Sequence, residues 1–287
     1  MPSSGQAWET LGTVGPADLV DARLELHWAL QVADAVGRSL FAPEPDGSQI
    51  SFSWYDPAGA LVSGAMADGS RVGLALASLE LIIIGLSGEV EERFSLAGHT
   101  MHDATSWVHD RVANRLGQMP GWTDHKPDVP DAPVGRGEPF GRATDRHAEL
   151  ACWYGNASRL LEAIRATDPR AAPVRAWPHH FDIATFINLD PHVAQYEGRS
   201  INVGWSPGDA TYPAPYFYVV PHPEPVASDL PGLEAGRWHI EGWIGAVLTA
   251  EDTLGHTDPA DVAAAFNREA IASLRAALGD GRERTIE

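Results

Sequence analysis

The residues best suited to chemistry cluster in WPHHFD, residues 177–182, which runs into the apolar stretch IATFINLD. Two imidazoles and a carboxylate fall within four positions. Read as one strand over 180–189, alternation puts His180, Asp182 and Ala184 on one face, and Phe181, Ile183 and Thr185 on the core face. RWHIEG repeats the pattern: Arg237, His239 and Glu241 share a face, and His222 ends the strand YFYVVP. Imidazole and carboxylate are ligands for zinc, iron or manganese, so His180, Asp182, His222, His239 and Glu241 form a candidate set for a divalent metal. Without metal, Asp182 and His180 make a general acid–base pair. The competing reading is that Asp182 anchors a loop through backbone hydrogen bonds.

Two further features could line a pocket. The turn GWSPGD, 204–209, carries Trp205 and Asp209 between residues that enforce a bend. Trp177, Tyr216 and Tyr218 add rings with polar tips, the composition of small-molecule sites. The chain has no HExxH, no CxxC and no GxSxG elbow. His99, His102, Asp103 and His109 read as capping or solvated residues around a helix start, and Cys152 as a packed thiol.

The elements that must hold these residues follow from periodicity. The first half reads as a helix near 17–41 with Leu24, Trp28, Val32, Ala35 and Val36 on its stripe. Strands at 49–55, 59–66, 71–84 and 90–98 follow, and a helix near 101–117 closes the half. The second half reads as a helix near 146–166, strands at 180–189, 200–205, 215–221 and 237–250, and a helix near 259–278 started by Asp258 and Pro259. The segment 119–145 holds five prolines and four glycines, the composition of a linker. The expected organisation is an N-terminal half 1–118, a linker 119–145 and a C-terminal half 146–287. The expected class is α+β: two similar helix–antiparallel-sheet–helix halves, with a divergent internal duplication as the simplest account of their shared order.

Composition narrows the function. Hydrophobic residues are 44% of the 287, enough to build a core. The 39 acidic residues against 20 basic ones, only one of them lysine, give a net charge of −19. That balance argues against nucleic acid and anionic membranes as partners. The start of the chain lacks the charged and apolar regions of a signal peptide, and the run at 73–86 is too short to span a bilayer. One cysteine requires no oxidising compartment. A soluble, acidic, cytoplasmic protein is expected.

Three motifs in order carry a resemblance: WPHHFDIA (177–184), GWSPGD (204–209) and APYFYVVPHP (214–223). Over about residues 146–225 the chain resembles an uncharacterised bacterial family, a domain of unknown function. That family has a W-x-x-F-D-L-A strand, a G-F-x-P-G turn and an E-P-x-F-Y-x-Y-x-x-P strand. Here one residue is added between Trp177 and the Phe181–Asp182 pair, Trp205 stands for Phe, and Ala214 for Glu. The resemblance implies a site built on Asp182 rather than on the histidines. The expected function is a small-molecule enzyme with Asp182 as base or ligand and His180 as acid–base residue or ligand, a hydrolase or oxygenase if metal binds. The alternatives are a non-catalytic protein binding a small molecule on the same aromatic residues, and a structural or interaction protein.

Overall fold

A computed structural model describes residues 7–117, 121, 128–193 and 197–280. Its helices are α1 (Val20–Leu40), α2 (Met101–Leu116), α3 (Asp145–Thr167), α4 (Ala250–Leu254) and α5 (Pro259–Ala277). Its strands are β1 (Ser53–Tyr55), β2 (Ala60–Val62), β3 (Arg71–Ala75), β4 (Glu80–Ile84), β5 (Val90–Ser95), β6 (Arg175–Trp177), β7 (Asp182–Asn188), β8 (Ser200–Ser206), β9 (Tyr216–His222), β10 (Arg237–His239) and β11 (Gly245–Thr249). They form a five-stranded sheet in the order β1-β2-β3-β4-β5 and a six-stranded sheet in the order β10-β11-β9-β8-β7-β6. The fold is mixed α+β with antiparallel sheets, as the element order of the sequence implies. The contacts divide it into two compact units. One comprises Glu9–Gly155 and Arg175–Asp182, and the other is built of Asn156–Val174 and Ile183–Glu287.

In the first unit the meander buries both faces of its central strands. Leu61, Leu74 and Leu81 stand in register on one face, and Ala60, Val62, Ala75, Ile82 and Ile84 cluster on the other. Helix α1 packs on β3 with Leu26, Ala29, Leu30, Ala33 and Val36 wholly buried. Helix α2 starts on a capping box. The Asp103 amide donates to Thr100 Oγ1, and the Asp103 carboxylate accepts from the Thr100 amide. Within 128–145, Pro133–Arg136 form a 3-10 turn, and Ala132, Val134 and Phe140 are buried.

In the second unit Ile183, Trp205, Phe217 and Leu248 align across four strands, and so do Thr185, Val203, Val219 and Ala246. All of these are buried, and α5 packs on β8, β9 and β11. The opposite face aligns Ala184, Gly204, Tyr218 and Val247. Gly204 is small for a reason: a Cβ there would sit 2.4 Å from the Tyr218 ring and 2.8 Å from the Ile183 carbonyl. Asp258 caps α5 by accepting from the Asp261 amide, with Pro259 at the first position.

Two stretches read as single strands are hairpins. Residues 71–84 fold back between β3 and β4 through Leu79, whose φ is +52°. No Gly or Pro marks that turn, because burial of Leu76 and Leu79 holds it. Residues 237–250 break between β10 and β11 at Gly242, φ +87°. His239 and Glu241 therefore do not share a strand face. Strand β7 begins at Asp182, leaving His180 in the preceding turn. The alternation that paired His180 with Asp182 does not exist there.

Candidate functional site

Helix α1 carries a second stripe that is polar and buried. Arg23, His27, Gln31 and Asp34 follow one another at helical spacing and are 8%, 5%, 7% and 2% exposed. Buried polar side chains are costly unless they are bonded. His27 Nε2 meets the Pro178 carbonyl at 2.8 Å, and Gln31 Nε2 donates to the same oxygen at 2.7 Å. A carbonyl only accepts, so the imidazole proton is on Nε2. Gln31 also donates to the His27 carbonyl, and Asp34 accepts from Arg38 Nε at 2.5 Å. Helix α1 thus grips the WPHHFD turn by its backbone.

Helix α3 grips the other end. The Tyr154 hydroxyl donates to the Phe181 carbonyl at 2.6 Å. Phe181 takes φ +55°, a conformation that costs a non-glycine residue about 1–2 kcal/mol. Its ring compensates by stacking on His27 at 5.1 Å and leaning on Tyr154 at 5.3 Å. The left-handed residue turns the chain sharply, and the next residue, Asp182, enters β7 only 9% exposed.

The electrostatics are of one piece. Burial, then the Asp182 charge, pushes the Tyr154 phenol well above its ordinary range, with Arg23 opposing. Tyr154 stays a donor. Burial drives His27 down to about 4 against the pull of the Pro178 bond, helped by Arg23, His180 and His179. At neutral pH the turn is therefore flanked by a neutral Tyr154 phenol, which feels both the Asp182 charge and the Arg23 guanidinium, and by the neutral His27 imidazole. His179 and His180 lie exposed on the outside of the turn with ring centres 4.3 Å apart, and Trp177 flanks His179 at 6.0 Å. Partial burial, His180 and Arg38 lower His179 to about 4.

The second unit collects the aromatic candidates. The Tyr216 hydroxyl donates to Asp209 Oδ2 at 2.5 Å, while Asp209 Oδ1 accepts from the Thr211 and Tyr212 amides. Asp209 thereby closes the β8–β9 loop. Tyr212 bonds His239 Nδ1 at 2.9 Å, and His239 Nε2 meets the Glu241 carbonyl at 2.7 Å. Trp243 stacks on His239 at 4.2 Å. Tyr216 and Tyr218 share one face with Ala184 and Val247. Trp205 points the other way into the core and is fully buried, so its place is structural rather than in a pocket wall.

The proposed metal ligands do not form a centre. Among the described residues, no three His, Cys, Asp or Glu side chains are grouped to share one ion. Both ring nitrogens of His239 already face protein groups, Glu241 offers only its carbonyl there, and His222 is exposed at the end of β9. The sequence alone does not single out Arg23, His27, Gln31 or Tyr154 as site residues. The available signal was a polar i, i+4, i+8 series on a helix otherwise apolar enough to be buried. Comparison with known proteins gives no match among family models, curated proteins or solved structures.

Proposed function

We propose that the chain is a small-molecule enzyme whose acid–base site is the Asp182 carboxylate. Asp182 acts as general base, and His180 at the mouth of the turn exchanges protons with solvent and substrate. Arg23 supplies the positive charge that steadies developing negative charge. His27, Gln31 and Tyr154 are positioning residues, since each spends its donor on the backbone of the turn. One observation carries the reading. A strained, positive-φ Phe181 is held by side chains from two helices, and what it orients is a buried carboxylate. Strain of that kind persists only where surrounding structure enforces it, and it concentrates at functional sites.

The aspartate of the resembled motif is the same residue, which adds support. The test is Asp182→Asn, screened with the wild type against small-molecule libraries for turnover and thermal shift. The expected result is an intact fold with turnover reduced by about 10²–10⁴-fold, the usual contribution of a general base. Full activity in the variant sinks the reading. A collapse of the melting temperature assigns Asp182 to structure instead.

A second reading, a non-catalytic binding protein, rests on the tyrosine face of the second unit. It expects a ligand-dependent thermal shift without turnover, lost on Tyr216→Ala and kept in Asp182→Asn. No described helix is long and apolar enough to cross a membrane.

A further inference from the structure

Five rings of the second unit form an unbroken row. From Tyr218 the ring centres step to Tyr216 at 6.1 Å, to Tyr212 at 5.0 Å, to His239 at 5.6 Å and to Trp243 at 4.2 Å. The row begins at tyrosines that are 7% and 6% exposed and ends at a half-buried tryptophan. Tyrosine and tryptophan are the side chains most readily oxidised by one electron. Tyrosine loses its phenolic proton in the same event, so a nearby base decides which tyrosine reacts.

That base is present at two of the phenols and at no other described tyrosine whose hydroxyl partner is resolved. Tyr216 donates to the Asp209 carboxylate. In the neutral imidazole of His239 the proton sits on Nε2, facing the Glu241 carbonyl, so Nδ1 accepts from Tyr212. Tyr55 and Tyr154 donate instead to the backbone carbonyls of Gly88 and Phe181, which cannot take up a proton. We propose that the row Trp243–His239–Tyr212–Tyr216 is a redox relay that carries oxidising equivalents between the surface and the interior of this unit, where Tyr216 is 6% exposed. Its partner is a one-electron oxidant of the high-valent metal or peroxide-derived class.

The step balances simply. One electron leaves Tyr212 for the oxidant by way of Trp243. The O–H bond breaks, the proton passes to His239 Nδ1, and a neutral tyrosyl radical faces an imidazolium. A thiol-class reductant returns the electron, and the proton goes back along the same hydrogen bond. At Tyr216 the proton passes to Asp209 in the same way.

The experiment is flash–quench oxidation of the full chain with a photogenerated ruthenium(III) polypyridyl, read by transient absorption and electron paramagnetic resonance. The expected result is a tyrosyl signal with a solvent deuterium isotope effect. The signal should be kept in Tyr55→Phe, lowered in Tyr212→Phe and in Tyr216→Phe, and lost in the double variant. His239→Phe keeps the ring and removes the base, and should slow radical formation and erase the Tyr212 isotope effect. Phenylalanine preserves packing, and circular dichroism checks each fold. Should the double variant fail to fold, Tyr212→Phe decides alone, because Tyr212 is only half-buried. Equal yields in wild type, Tyr212→Phe and Tyr216→Phe, or a yield that falls only in Tyr55→Phe, overturn the proposal.

Discussion

His27 shows what a single residue contributes when it is buried neutral. Its ordinary value is 6.5 and burial takes it to about 4. Between those values the unfolded chain binds a proton that the folded chain refuses, so acid favours unfolding. Stability is therefore complete above pH 6.5 and falls as the pH drops toward 4. The loss is about 2 kcal/mol by pH 5 and roughly 3 kcal/mol below pH 4. His27→Gln keeps a donor for the Pro178 carbonyl and removes the titration. Its denaturation midpoint should change less between pH 7 and pH 5 than the wild type's, and equal slopes would show that His27 is not the group responsible. Phe181 permits a second test. Truncating a buried phenylalanine costs about 3–5 kcal/mol, so both Phe181→Ala and Phe181→Gly should be destabilised. Glycine, however, accepts φ +55° without penalty, so the glycine variant should be the more stable of the two by about 1 kcal/mol. The reverse order, measured by urea titration, would mean that the turn relaxes away from the left-handed conformation.

Among the elements, α1 explains both what the sequence reveals and what it conceals. Its limits, and those of α2, α3 and α5, are legible because apolar residues recur at helical spacing and Asp258 is a recognisable cap, whereas the Thr100 cap of α2 emerges only from the structure. The stripe through Leu24 and Trp28 points to a half-buried side, whereas the full core contact is through Leu26, Ala29, Leu30 and Ala33. A helix buried over so wide an arc shows no single preferred face. Its polar series, Arg23 to Asp34, is read as solvated unless a partner 150 residues away is known to meet it. Alternation within β7 is legible for Ile183, Thr185 and Ile187, because each faces a packed layer. Alternation across residues 180–182 fails because Phe181 leaves β geometry, and no local residue type announces that. Position 182 is thus readable as a candidate and its surroundings are not. In β8 the informative residue is Gly204. Gly204→Ala drives a methyl into both the Tyr218 ring and the Ile183 carbonyl, and only the ring can move. Overpacking of this kind costs about 1–3 kcal/mol. The expected signs are a lower melting temperature and altered tyrosine fluorescence, and an unchanged melt would show that β7 and β8 can separate to admit it.

For the molecule as a whole, charge sets how these local effects are seen. A net charge of −19 makes the folded chain repel itself. Arginines offset part of that at specific points: Arg170 and Arg199 hold Asp280 and Asp190 through paired hydrogen bonds, and the Arg170 contact holds the Asp280 carboxyl below its usual range. Lowering the pH from 7 toward the isoelectric point near 4.9 removes excess negative charge and so relieves repulsion. It also protonates His27 in the unfolded chain, with the opposite effect. Salt separates the two. At about 0.15 M the Debye length is near 8 Å, which screens repulsion between distant surface carboxylates and leaves a buried imidazole untouched. At low ionic strength the two effects partly cancel, and the melting temperature should change little between pH 7 and pH 5. At about 0.15 M salt the repulsion is already suppressed, so the same acidification should produce a clear fall. In His27→Gln that fall should shrink at both ionic strengths, leaving the share contributed by His179, which is also lowered to about 4. An acid-induced fall that is larger at low salt than at high salt would place its origin among the surface ion pairs instead.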